Sequence, residues 1–259
     1  MDLSGKTILV TGAAGDGVGA GVCAAIVRAG GRLLVNDVDA GALERAAASH
    51  GAEASYTTDV SDEAQVEDMF ARIQDEFGAL GGLVNNAGVG LNKPVDQVTT
   101  SEYDRLMAVD QRGVWLASRA FARMTGASGD RSVVNVTSVH AHSTMAGYAV
   151  YASAKAGVEG LTRGLAVDLG PRGIRCNAVA PGYVHSRQNV ALISGWSDDP
   201  EAWVRQHTAS QQVIGREIHP IDCGWVAAFL LSDLSRAVTG QVIRVDAGTT
   251  SLLYGTDFR

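Results

Sequence analysis

Short apolar runs alternate with longer amphipathic stretches from one end of the chain to the other. Thr7-Ile8-Leu9-Val10 and Arg32-Leu33-Leu34-Val35-Asn36 read as buried strands, and Ala54 to Thr57 as a weaker third. Gly82-Leu83-Val84-Asn85, Ser132-Val133-Val134-Asn135-Val136, Gly173 to Val179 and Gln241 to Val245 complete a set of seven. Helical patterns fall between them, over Gly19 to Ala29 and Ala40 to Ser49. Another opens at Ser61-Asp62-Glu63-Ala64, where a capping residue and early acids suit the positive end of a helix. Apolar strands separated by helices imply βαβ units and a parallel sheet covered on both faces. The expectation is an α/β fold, one doubly wound domain over residues 1–259. The stretch 183–220 breaks the rhythm, with Trp196, Trp203 and Asp198-Asp199-Pro200. So long an excursion in a compact domain is usually functional or disordered, and its aromatics argue against disorder. It reads as a helical lid over a ligand site.

Composition narrows the class. Of 259 residues, 46% are hydrophobic and 19% charged, which excludes a disordered chain. The 31 glycines carry no collagen period and favour close backbone approaches. A net charge of -7 lacks the basic footprint that nucleic acid or an anionic membrane requires. Cys23, Cys176 and Cys223 are odd in number and far apart, with no zinc-like spacing. They read as reduced thiols. With no secretory signal and no apolar run of membrane-spanning length, a cytoplasmic location is expected.

The first strand runs into Thr11-Gly12-Ala13-Ala14-Gly15-Asp16-Gly17-Val18-Gly19 and then a helix. Glycines let such a turn approach a pyrophosphate, and the helix N-terminus offers free N–H donors; tight strand-to-helix turns also want glycine for purely structural reasons. The second strand ends at Asp37. A carboxylate there can accept both hydroxyls of an adenosine ribose and would repel a 2′-phosphate. No Arg or Lys lies among Asn36 to Gly41 to pair with such a phosphate. NAD is expected rather than NADP.

The order of Thr11-Gly12 with Gly17 and Gly19, Asn85-Asn86-Ala87-Gly88, Ser138, Tyr151-Ala152-Ser153-Ala154-Lys155 and Pro181-Gly182 resembles the short-chain dehydrogenase/reductase family, from Leu3 to Gly248. The resemblance implies a Rossmann-type domain, a nicotinamide dinucleotide, hydride exchange between an alcohol and a ketone, and a homo-oligomer, tetramer or dimer. It also implies cofactor contacts at Gly12, Gly17, Val18 and Gly19. Asp59 and Val60 would hold the adenine ring, although Asp59 alone reads as well as a turn or capping carboxylate. Asn86, Ala87 and Gly88 would lie along the cofactor. Pro181, Gly182 and Val184 match the segment beside the nicotinamide, and Ser186 stands where the family has a threonine near the phosphates.

Tyr151 and Lys155 are four apart in a helical pattern and share one face. A free tyrosine titrates near pH 10, and a nearby ammonium stabilises its phenolate. The resemblance makes Tyr151 the acid–base group and Ser138 the hydrogen-bond donor to the substrate oxygen, while Lys155 orients the ribose. Tyr148 has no lysine four residues on and reads as pocket wall. Two departures stand out. Four residues instead of three separate Gly12 from Gly17, and Gly15 could absorb the bulge. Asp110 occupies the position of a family asparagine that holds a water in a proton relay behind the lysine. An aspartate keeps the acceptor, loses the amide donors and adds charge. It is expected to reach Lys155 through water, or to alter the relay.

His140, two residues after Ser138, is a candidate for the substrate pocket, with His185 and Arg187 in the same region. His140-Ala141-His142 has no acidic partner nearby, so no metal is expected. The competing functions are an NADPH-preferring carbonyl reductase, disfavoured by Asp37, and a nucleotide-binding regulatory protein. The latter would lack Ser, Tyr or Lys of the reacting set, and all are present.

Overall fold

A computed structural model describes residues 1–126 and 130–255, so residues 127–129 and 256–259 of the domain expected over the whole chain lie outside the description. The elements alternate as the sequence pattern predicts. They run β1 (Thr7–Thr11), α1 (Val18–Arg28), β2 (Arg32–Asp37), α2 (Ala40–His50), β3 (Ala54–Thr57), α3 (Glu63–Phe77), β4 (Gly82–Asn85), α4 (Thr100–Met107), α5 (Gly113–Arg123) and β5 (Arg131–Val136). Then come α6 (Ala149–Leu169), β6 (Ile174–Pro181), α7 (Arg187–Ile193), α8 (Pro200–Gln211), α9 (Pro220–Leu231) and β7 (Val242–Val245). All seven strands are parallel in one sheet, in the order β3-β2-β1-β4-β5-β6-β7.

Strand side chains alternate between two cores, as the pleat requires. Ile8, Val10, Leu33, Val35, Val84, Val134 and Val179 face one core with Val22 and Ile26 of α1 and Leu230 of α9. Leu9, Leu34, Leu83, Val133 and Cys176 face the other, with Met69 and Phe70 of α3 and Phe121 of α5. Apolar residues on both faces are what made the strands visible as continuous runs.

Several boundaries shift by a residue or two from the sequence reading, and two of the shifts bear on the site. β6 continues to Pro181 instead of stopping at Val179. Proline is tolerated at the end of a strand, and Pro181 still registers with Val245. α1 begins at Val18, because Gly17 serves as its N-cap and makes no side-chain capping bond. The stretch 183–220 does contain helices, α7 and α8, and its two ends are joined to each other by a bridge between Val184 and Ile218.

The strand order reverses between β1 and β4, and the crevice beyond their carboxyl ends is where open α/β sheets bind ligands. Helix α1 is held there by α9 at unusually close range. A Cβ on Gly21 would lie 1.9 Å from the Pro220 carbonyl oxygen, and one on Gly224 would lie 2.1 Å from the Gly21 oxygen. Backbone sits against backbone, so nothing flexible can yield. Gly21→Ala should therefore lower unfolding stability by about 3 kcal/mol or more, at the upper end of single substitutions. Urea unfolding decides it; a loss below about 1 kcal/mol would show that the two helices separate easily.

Candidate active site at the switch point

Thr11 joins the ends of β1 and β4. Its Oγ1 accepts from the backbone N–H of Asn86 at 3.1 Å and of Ala87 at 3.2 Å. The Asn86 amide returns the contact, donating to the oxygens of Thr11 at 3.1 Å and Gly12 at 2.7 Å. Gly12 has φ +65°, and a Cβ there would lie 2.5 Å from Ala87 Cα. Gly19 is as tightly bound, with a would-be Cβ 2.6 Å from Asn86 Nδ2. Above Gly17, by contrast, a Cβ would meet nothing within 4 Å. The result is a glycine cradle, open at the N-terminus of α1, with uncapped N–H groups. Asp37 stands beside it at the end of β2, accepting from Ala14 N at 3.0 Å and Val38 N at 2.8 Å. This chemistry and shape fit a dinucleotide: donors for a pyrophosphate, a carboxylate for ribose hydroxyls.

The remaining expected contacts surround this cradle. Val60 is buried and packs within 3.1 Å of where a Cβ on Gly113 would sit. Asp59 closes the turn before α3, accepting from Ser61 N at 2.9 Å and Ser61 Oγ at 2.7 Å. Gly88 is exposed, and a Cβ on it would come within 3.0 Å of Asp110 Oδ2 and 3.2 Å of Lys155 Nζ. Gly182 lies against Asp246, and Ser186 is the N-cap of α7.

Ser138 follows β5 and is buried, its Oγ accepting from His140 N at 3.2 Å. Its own hydrogen is left to donate. Tyr151 and Lys155 lie in α6, with Lys155 Nζ 5.6 Å from the centroid of the Tyr151 ring. His140 connects the two segments. Its ring stacks on Tyr148 at 4.4 Å and meets Tyr151 edge-on at 5.7 Å, and its Nδ1 is 2.9 Å from Thr144 Oγ1. Burial lowers the His140 pKa below the ordinary histidine value, so the ring is neutral at pH 7. Tyr148 is packed against His140 and lies 6.0 Å, edge-on, from the Tyr151 ring.

Asp110 corrects the sequence reading in one respect: no intervening water is needed to connect it with Lys155. Asp110 Oδ2 lies 3.0 Å from Lys155 Nζ, with both side chains buried. Its Oδ1 accepts from Val89 N at 2.7 Å. The aspartate belongs to a wide helical turn of π type, Ala108–Arg112, joining α4 to α5. Such a turn inserts a residue into the helix and is frequent at functional sites. Burial alone would lower the lysine's pKa; the Asp110 carboxylate and the Tyr151 oxygen overcome it and raise the value above 10.5.

Behind these residues lies a buried polar chain that the sequence did not single out. Asn85 donates to Ser118 Oγ at 3.0 Å and to Asn135 Oδ1 at 2.8 Å, and Asn135 donates to Thr162 Oγ1 at 2.9 Å. It ties β4 and β5 to α5 and to α6, the helix that carries Tyr151 and Lys155. The other expected pocket residues sit apart. His185 Nδ1 lies 3.7 Å from Glu217 Oε2, and Arg187 pairs with Asp16 of the glycine-rich turn at 2.9 Å. The excursion's rings form their own stack: Trp203 lies parallel to His207 at 4.9 Å and edge-on to Tyr183 at 5.5 Å.

A doubly wound sheet with a glycine cradle at its switch point is the architecture of the nucleotide-binding α/β class. The chain belongs to the short-chain dehydrogenase/reductase family. A family model described as enoyl-(acyl carrier protein) reductase matches residues 12–250. The chain is 36% identical over 251 residues to cis-4-hydroxycyclohexanecarboxylate dehydrogenase of Sinomonas cyclohexanicum, covering 95% of this chain and 97% of that one. It is 31% identical over 254 residues to gluconate 5-dehydrogenase of Gluconobacter oxydans, covering 96% of each. The crystal structure of an NAD+-bound xylitol dehydrogenase superposes with a TM-score of 0.87 at 29% identity, covering 96% of this chain and all of that one. The protein is an oxidoreductase.

Proposed function

We propose that the protein transfers a hydride between a secondary alcohol or its ketone and NAD, with Ser138, Tyr151 and Lys155 as the reacting set. The observation that carries this reading is the buried Lys155 ammonium, charged and held 5.6 Å from the Tyr151 ring. A dinucleotide held by Gly12, Gly17, Val18, Gly19 and Asp37 would supply the hydride acceptor for an alcohol carbon and the hydride donor for a ketone. In the oxidising direction Tyr151 Oη takes the hydroxyl proton as the carbon–hydrogen bond breaks. Ser138 Oγ donates to the substrate oxygen, and Lys155 stabilises the phenolate by charge. In the reducing direction the same proton returns from Tyr151 Oη. The neutral His140 ring, stacked on Tyr148, would form the wall beside the substrate carbon. An absorbance assay at the reduced-nicotinamide band, with a panel of polyols, hydroxy acids, cyclic alcohols and steroids, tests the reading. No turnover with any of them, in either direction, would overturn it.

Asp37 supports NAD over NADP. Its carboxylate borders the cradle and would face a 2′-phosphate as one anion faces another. The expected result is a kcat/KM for NAD well above that for NADP, and a narrowed ratio for Asp37→Ala. Asp37→Asn removes the charge and keeps half of the turn, since its one amide oxygen can accept from Ala14 N or from Val38 N but not from both. Equal values for the two cofactors in the wild type would refute the preference.

The assembled protein we read as a homo-oligomer in the cytoplasm. Trp115 is exposed, with Arg119 over its ring at 4.6 Å, and it borders a groove with Met107 and Leu161. Cys23, Cys176 and Cys223 are free and buried, and burial pushes each thiol up to about 12. No helix among the described residues is long and apolar enough to cross a membrane.

A further inference from the structure

The residue count of the glycine-rich turn has a structural counterpart on the other side of the cleft. Asp16 precedes Gly17, the N-cap of α1, and its carboxylate leaves its own helix alone. Asp16 Oδ2 instead accepts from the backbone N–H of Arg187 at 3.0 Å and from Arg187 Nε at 2.9 Å. Burial would raise this carboxyl, but the bonds from Arg187, joined by the Gln188 N–H, hold it below the ordinary aspartate value. Gly15 adjoins the same place, since a Cβ on it would lie 3.6 Å from Gln188 Oε1. The receiving segment is itself braced. Ser186 Oγ accepts from Asn189 N at 3.2 Å, Asn189 Nδ2 donates to the Val184 oxygen at 2.7 Å, and Val184 bridges to Ile218.

We propose that Asp16 is a latch that holds the first turn of α7 down on the glycine-rich turn, so that a bound dinucleotide leaves only after the Asp16–Arg187 contact has opened. The inference rests on the dinucleotide reading above. In that reading Gly17, Val18 and Gly19 form one wall of the cofactor cleft and Ser186 the other. A side chain that ties the two walls gates whatever lies between them. The contact joins positions 171 residues apart, so it adds a direct link that the sheet does not supply. It is also built to open. The Arg187 side chain is 92% exposed, and exposed ion pairs contribute little to global stability and weaken with salt. Asp16 is a positioning residue in this account. It acts on the cofactor through α7.

NADH release, followed by stopped-flow fluorescence on displacement, provides one arm of the test. Asp16→Ala should speed release by about tenfold and Arg187→Ala by less, because the backbone N–H of residue 187 still reaches Asp16 in the latter and interface contacts act mainly on the off-rate. The double variant should be no faster than Asp16→Ala alone, since loss of the carboxylate already removes every bond of the contact. Asp16→Glu should recover most of the wild-type rate. Added salt should speed release from the wild type and leave the alanine variants unchanged. The second arm needs no cofactor: amide hydrogen exchange over residues 187–193 should quicken in Asp16→Ala while thermal unfolding of the whole chain stays put. Unchanged release with unchanged exchange would overturn the latch. So would slower release from Asp16→Ala, which would make Asp16 a mere repellent of the phosphates. A wild type that binds no NADH would sink the dinucleotide reading, and the exchange arm distinguishes that failure from the absence of the contact.

Discussion

Tyr151→Phe is expected to lower kcat by about 10²–10⁴, the usual worth of a positioned acid–base group, with dinucleotide affinity close to that of the wild type. The phenyl ring keeps every packing contact the structure gives the tyrosine. It still meets His140 edge-on at 5.7 Å and Tyr148 at 6.0 Å, and Lys155 still lies 5.6 Å from its centroid. Only the oxygen that would exchange a proton with the substrate in the proposed reaction is gone. Paired measurements of kcat and of NADH affinity by fluorescence titration separate chemistry from binding. Retention of more than about a tenth of the wild-type rate would remove Tyr151 from the reaction. Loss of affinity together with rate would instead mean that the phenol oxygen organises the cofactor cleft.

Tyr151 and Lys155 could be paired from the sequence because helical spacing is a local property: four residues make one turn. The strands were visible for a related reason, as both faces of a parallel sheet are apolar and the runs are continuous. Where the reading stopped short, the missing information was not local. Pro181-Gly182 looks like a strand end, yet pairing with β7 carries β6 through Pro181. Asp110 was singled out, but its distance from Lys155 depends on the π turn at Ala108–Arg112, which no apolar period announces. The stacking of His140 on Tyr148 crosses from the β5 exit to the start of α6. Asp16 had a visible oddity, one residue too many in its turn. Its partner lies in the irregular excursion, where periodicity says nothing about contacts. The Asn85–Asn135–Thr162 chain was hidden for the opposite reason: buried asparagines inside apolar strands look like blemishes until their partners are in view.

Replacing Asp110 with asparagine should move the pH profile of turnover more than its maximum. In the wild type an anion sits 3.0 Å from Lys155 Nζ, and that ammonium lies 5.6 Å from the Tyr151 ring centroid. It keeps the lysine charged against burial, and its own negative charge opposes the build-up of charge on Tyr151 Oη. The uncharged isostere removes that opposition while its oxygen still accepts from Val89 N. The limb of the profile set by the tyrosine should therefore move to lower pH: the rising limb for alcohol oxidation, the falling limb for ketone reduction. Stability carries a second, independent signature. Because the folded lysine titrates above its unfolded value of 10.5, the pair's contribution is fully present below that pH and is lost as pH rises through the raised value. Asp110→Asn should flatten this alkaline loss and lower stability at neutral pH. The loss should approach the roughly 3–5 kcal/mol that outright removal of one member of a buried pair costs, since the single amide oxygen stays with Val89 N and the NH2 group then faces the ammonium. If Asp110 serves only to bend the helix between α4 and α5, the variant loses stability but its kcat profile, taken at saturating cofactor, overlays the wild type. A tyrosine limb displaced to higher pH would mean that Lys155 has given up its proton once the carboxylate is gone, and that Asp110 is what keeps the lysine charged enough to serve Tyr151.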